Sequence, residues 1–134
     1  MIRYPVAIEV GGQDHAWGVV VADLPGCFSA GDTLEAALDG AREAIAAWVD
    51  EALDSGEPIP PPSPLETVLR EHSGGSWIIA LVEIDDAAFD DRPERVNISL
   101  PRRVLARLDA LAQSSGSTRS GWIAAQTLRG QKVG

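Results

Sequence analysis

The apolar positions change period several times along the chain, and each change marks an element. In residues 3 to 10, RYPVAIEV, Tyr4, Val6, Ile8 and Val10 alternate with Arg3, Pro5, Ala7 and Glu9, the period of a half-buried strand. Proline cannot donate to a ladder, so Pro5 puts this strand at a sheet edge or marks its start. GGQD at 11 to 14 is turn chemistry, and HAWGVVVA at 15 to 22 is apolar on both alternating faces. The chain therefore opens with a hairpin whose second strand lies further inside the sheet. After DLPG at 23 to 26 comes a short third strand at CFS.

A helical period follows. Leu34, Leu38, Ala41, Ile45, Trp48, Val49, Ala52 and Leu53 recur at helical intervals, with Asp32 and Glu35 at capping-box spacing. The other face carries Glu35, Asp39, Arg42, Glu43, Asp50 and Asp54, and Gly56 with EPIPPPSP ends the helix. Ser63, Pro64 and Glu66 can open a short further helix to about residue 70, and SGGS at 73 to 76 turns the chain. WIIALVEI, 77 to 84, is a continuous apolar run too short and too β-branched for a buried helix, which predicts a central strand. The predicted order is β-β-β-α-(α)-β.

Residues 85 to 94, DDAAFDDRPE, are acidic, irregular and interrupted by proline, the composition of a linker. Beyond them, RVNISL places Val96, Ile98 and Leu100 on one side of a strand and Arg95, Asn97 and Ser99 on the other. Pro101 suits a first helical turn, and Val104, Leu105, Leu108, Leu111 and Ala112 keep helical spacing. Gly116 stops this helix, and Ser117 is the expected N-cap of a second one, in which Trp122, Ile123, Ala125 and Leu128 supply apolar surface. A strand and two helices of this size cannot bury enough apolar area alone, and a lone strand leaves its backbone groups unpaired. Two copies pairing their strands antiparallel remove both problems. They form a two-fold dimer with a core of Val96, Ile98, Leu100, Leu108, Trp122 and Ile123, and they expose Arg95, Asn97 and Ser99 from both chains. A two-stranded ribbon fits the DNA major groove, where Arg reads guanine, Asn reads adenine and Ser reads either.

Charge sharpens the division. The 134 residues carry a formal charge of -9, but residues 1 to 91 hold 18 Asp/Glu against 3 Arg, whereas residues 92 to 134 hold 8 Lys/Arg against Glu94 and Asp109. The halves face different partners. Cys27 is alone and His15 and His72 are far apart, which provides neither a disulfide framework nor a His/Cys zinc site. No apolar run approaches a membrane span and the start lacks a secretory pattern, so the expectation is a cytoplasmic protein with no membrane association and no cofactor.

Catalysis finds little support. Glu9, Asp23 and Glu83 lie on or beside predicted strands, yet nothing in the sequence makes them converge as a two-metal nuclease requires. Ser29, Ser55, Ser63, Ser73 and Ser76 are on turns without a G-x-S-x-G elbow, and Cys27 beside Phe28 reads as a packed small hydrophobe.

The stretch from Arg95 to about residue 129, with RVNISLP, an amphipathic helix and SGSTRSGWI, resembles the ribbon-helix-helix DNA-binding domain. That resemblance implies that the amides opening the second helix, near Ser117 and Thr118 with Arg119 and Ser120, clamp a DNA phosphate. Helix N-termini favour anions for the same physical reason. With YPVAIEV and AWGVVVADLPGCFSAGDTLEAALDGAREAIAAWVDEALDSGEPIPPPS before it, the whole chain resembles the HicB-family antitoxins of bacterial toxin-antitoxin pairs, with DLPGC and GDTLEAAL the specific part. Ala22 stands where the usual pattern has a proline, which leaves the turn intact.

The family resemblance implies an α+β chain. An N-terminal partial RNase H-like domain, 1–85, binds and blocks HicA, a small mRNA-cleaving toxin. A linker, 86–94, leads to a ribbon-helix-helix dimerisation domain, 95–134, that represses the operon through operator DNA. The implied protein is a non-enzymatic homodimer or higher even-numbered oligomer, with no metal. The alternatives are a stand-alone ribbon-helix-helix repressor with a ligand-sensing N-terminal domain, and a DNA-targeted metal nuclease relying on Asp23 or Glu83.

Overall fold

The computed structural model describes residues 1–130. The chain divides into two compact units, one of Met1–Arg92 and one beginning at Pro93.

In the first unit β1 (Ile2–Glu9), β2 (Trp17–Val20), β3 (Phe28–Gly31) and β4 (Trp77–Ile84) form an antiparallel sheet in the order β3-β2-β1-β4. Helix α1 (Leu34–Ser55) lies on one face. Its buried residues Ala37, Ala41, Ile45 and Val49 share one core with Tyr4, Val6, Ile8, Val19, Val21, Leu24, Val82 and Ile84. Pro5 and Ala7 alternate away from α1, yet they are buried too, and the short helix α2 (Leu65–Glu71), with Val68 buried, packs on β1. The unit is thus covered on both faces near β1, which the alternation in RYPVAIEV did not announce.

Three local expectations are revised. β1 is an interior strand although it contains Pro5; the proline pairs with Leu81 beyond the last β1–β2 partners, Ala7 and Val20, where β1 has a strand neighbour on one side only. β4 is an edge strand rather than a central one, and Ile78 and Leu81 remain exposed. Ile78 and Leu81 alternate to opposite faces, so the continuous apolar run guarantees neither full cover of both faces nor a strand on each side. The N-cap of α1 is Thr33, whose hydroxyl accepts from the Ala36 amide at 3.1 Å, rather than Asp32. At the other end Gly56, at φ 69°, provides the left-handed turn, and Glu57 N–H bonds back to the Ala52 carbonyl.

The stretch expected to be a linker is ordered in its first half. Asp86–Phe89 form a 3-10 turn capped by the Asp85 side chain, Ala88 and Phe89 pack on the core, and the Phe89 ring stacks on Tyr4 with centroids 6.3 Å apart. Apolar Ala87, Ala88 and Phe89 inside the acidic run were the available signal.

The DLPG turn is an anchor. Leu24 is fully buried, Gly26 takes φ 79°, and the Val21 and Cys27 amides close the turn onto Cys27 and Leu24 carbonyls at 3.0 Å each. The Asp23 carboxylate accepts from the Ser63 amide at 2.9 Å and from the Ser63 hydroxyl. Tyr4 donates its phenol to the Pro60 carbonyl at 2.6 Å, and Trp48 donates its indole N–H to the Pro25 carbonyl at 3.0 Å. Burial, with the Asp23 charge nearby, raises the Tyr4 pKa and keeps this donor protonated. One acid, one phenol and one indole thereby fix the proline-rich strap and α1 around the turn.

The second unit holds α3 (Arg102–Ser114) and α4 (Arg119–Arg129). Gly116, at φ 69°, reverses the chain between them, as the sequence predicts. Thr118, not Ser117, is the N-cap of α4; its hydroxyl accepts from the Gly121 amide at 3.0 Å. Residues 95–100, expected as a strand, have no ladder in the single chain. The last four residues of the segment 95–134 lie outside the described residues.

Replacing Asp23 by Ala removes both acceptors of Ser63 and should lower the unfolding free energy of the full chain by about 1–3 kcal/mol, read from the urea midpoint. A midpoint equal to that of the unaltered chain would show that the strap does not depend on the carboxylate.

Candidate functional site

The second unit is distinguished by what it fails to bury. Among the described residues from Pro93 onward, Leu108 and Ala112 are the buried apolar side chains, at 6% and 4% exposure, whereas Val96 and Ile98 are 74% and 64% exposed. Ile98 and Leu100 nevertheless line one largely apolar concavity with Val104, Arg107, Leu108 and Leu111 of α3 and Trp122 and Ile123 of α4. The structure thus brings five of the six expected dimer-core residues to one surface; Val96 is not among the lining residues. The helices are folded and their inner face is uncovered.

The expected base-reading residues Arg95, Asn97 and Ser99 are all exposed. At the start of α4, Ser117, Thr118, Arg119 and Ser120 are exposed as well. Thr118 caps the helix through its hydroxyl and receives the Trp122 amide on its carbonyl at 2.9 Å, so Arg119 and Ser120 contribute the first-turn amides beyond these cap bonds. Arg119 is not a free cation. Its Nε and Nη2 donate to the two carboxylate oxygens of Asp109 at 2.9 and 3.0 Å, a bidentate pair between α4 and α3. The guanidinium holds the Asp109 carboxyl below its ordinary range, and the carboxylate raises the Arg119 pKa. The sequence offered only a weak signal for this contact: Asp109 is the one acid between residues 95 and 134.

The acids considered for chemistry are dispersed. Glu83 pairs with Arg3 across β1 and β4 at 2.9 Å, and Asp23 is committed to Ser63. No group of three His, Cys, Asp or Glu side chains among the described residues is disposed to hold a metal ion. Cys27 is buried, and burial raises its thiol pKa, the opposite of what a nucleophile needs. No described helix is long and apolar enough to cross a membrane.

Comparison with known proteins bears on the whole arrangement. The family model described as "HicB_like antitoxin of bacterial toxin-antitoxin system" matches residues 4–127. An uncharacterised 14.9 kDa protein from the rep-hol intergenic region of Haemophilus phage HP1 is 35% identical over 106 residues, covering 79% of this chain and 78% of its own. The fold is similar to the crystal structure of the Burkholderia pseudomallei antitoxin HicB, at a TM-score of 0.61 and 35% identity, over 96% of this chain and 97% of that one. It is also similar to a chain of a HicA3 and HicB3 toxin-antitoxin complex, at a TM-score of 0.50 and 29% identity, over 63% of this chain and 99% of that one. A four-stranded antiparallel sheet with flanking helices, tied by a DLPG turn and matched by the family model from Tyr4 through α3 and most of α4, identifies this chain as a member of the HicB-like antitoxin family.

Proposed function

We propose that the chain neutralises a HicA-type mRNA-cleaving toxin through residues 1–85 and represses its own operon by binding operator DNA through residues 95–134, with residues 86–94 joining the two. The observation that carries the DNA-binding half is the uncovered apolar concavity of Ile98, Leu100, Val104, Leu108, Leu111, Trp122 and Ile123. A surface of this kind on a unit with so small a core calls for a second copy. Antiparallel pairing of residues 95–100 with their twins completes a ribbon-helix-helix dimer. It covers Val96, Ile98 and Leu100 and leaves Arg95, Asn97 and Ser99 on the outer face for base edges, while the start of α4 meets phosphate through the Arg119 and Ser120 amides, with the exposed side chains of Ser117 and Thr118 beside them; the Ser117 amide itself is bonded to the Ala112 carbonyl at 2.9 Å. The excess of Arg in this half supplies the electrostatic attraction.

Toxin neutralisation is supported by family membership and by the likeness of 63% of this chain to a chain from a toxin-antitoxin complex. In this reading the acidic first unit, of partial RNase H-like architecture, masks a basic RNA-binding surface. Complementary charge speeds capture and disfavours release of the mask in favour of RNA. The chain acts by binding rather than catalysis, in the cytoplasm, as a homodimer or an even-numbered assembly of such dimers.

Co-expression with the adjacent short reading frame should rescue growth from its toxicity, and the two products should co-purify. A harmless neighbour with nothing co-purifying, while the full chain still binds its promoter, would contradict neutralisation and favour the ligand-sensing repressor.

For the DNA unit, Arg95→Ala or Asn97→Ala should cost about 1–3 kcal/mol at the operator and relax preference at one position per half-site. Equal loss on every sequence in a binding-site selection would remove the base-reading assignment. Leu108→Asp should abolish dimer sedimentation and DNA binding together, because it places a charge where, among the described residues, this unit buries its apolar side chains; a variant that still dimerises contradicts the proposed core.

A further inference from the structure

Within the basic second unit the single carboxylate of residues 95–134 sits on the one arginine that opens α4. Two N–H groups of Arg119 are bound to Asp109, at 2.9 and 3.0 Å, and both side chains are about half exposed, at 56% and 49%. Arg119 does not belong there by helix electrostatics alone, since a cation at a helix N-terminus opposes the positive end of the macrodipole. Asp109 relieves that conflict by drawing the guanidinium toward α3.

The same geometry makes Asp109 resemble what DNA would bring. A planar carboxylate and a tetrahedral phosphodiester each present two anionic oxygens spaced for a guanidinium fork, and a bidentate pair uses two of its five N–H donors. A neutral pair displaces no counterions from DNA, whereas a free arginine meeting a phosphate does. An exposed pair of this kind is held weakly enough for a phosphate to compete with it.

Resting on the DNA-binding reading above, we infer that Asp109 is an internal stand-in for a DNA phosphate: its carboxylate occupies Arg119 in the unbound chain, and DNA gains that arginine only by displacing it. Asp109 then sets the strength and the salt dependence of binding and leaves the choice of bases to Arg95, Asn97 and Ser99. Because Asp109 acts through Arg119, removing it matters only while Arg119 is present.

The test is fluorescence anisotropy of the full chain on a duplex of its own promoter and on an unrelated duplex, across a salt series, with folding checked by thermal melts. Asp109→Asn should bind both duplexes several-fold more tightly, with the slope of log K against log salt steeper by about 0.9, the value of one phosphate contact. Asp109→Glu, which keeps the charge, should behave as the unaltered chain. Arg119→Ala should cost more affinity in the Asp109→Asn background than on its own. Unchanged or weaker binding by folded Asp109→Asn, at an unchanged slope, overturns the inference and leaves the pair as a tie between two helices. If the unaltered chain itself shows no salt-dependent binding to either duplex, the DNA-binding reading falls, and the inference with it.

Discussion

Apolar surface that the chain cannot cover by itself is the constraint from which the functional organisation follows. The first unit closes on its own: α1 and the sheet share one continuous core, α2 packs on β1, and the 3-10 turn at 86–89 adds Phe89 against Tyr4. The second unit does not. It fully buries only Leu108 and Ala112 among the described residues, and presents an apolar concavity and an unpaired segment side by side. Hydrophobic cover and backbone pairing are missing in the same place, and one partner that supplies a strand would satisfy both.

The division of charge sets the two units apart. Of the three arginines in residues 1–91, Arg3 pairs with Glu83 and Arg42 with Asp39, so most of the acidic excess is left over as a field rather than spent in ion pairs. An acidic surface on a self-sufficient fold suits capture of a basic protein, and a basic surface on an incomplete fold suits a dimer on DNA. Asp109, the lone acid of the basic half, is the exception, and its place on Arg119 moderates that field where α4 begins.

Much of this was legible from side-chain periodicity. The opening hairpin, the extent of α1 with its Gly56 stop, the short α2, the apolar run of β4 and the α3–Gly116–α4 arrangement follow from spacing and turn chemistry. What escaped were properties that arise only between distant segments. The position of β4 at an edge depends on which strand pairs with β1, and the burial of Pro5 and Ala7 depends on α2 crossing their face. Thr33 and Thr118 displaced Asp32 and Ser117 as caps by one residue each, a choice made by local backbone geometry. The Asp109–Arg119 and Asp23–Ser63 bonds join residues 10 and 40 positions apart, beyond any local pattern. For the candidate site, the sequence identified which side chains could form an apolar face, and five of those six line the concavity. It could not reveal that Arg119 is already engaged.

The most direct measurement of the central claim is native-state amide hydrogen exchange on residues 95–100 of the full chain, followed over a dilution series. A ribbon shared between two copies predicts slow exchange at every other amide of this segment, lost as dilution separates the copies. Fast exchange at all of these amides at every concentration would mean that the segment has no partner strand, and the dimeric DNA-binding account would be wrong.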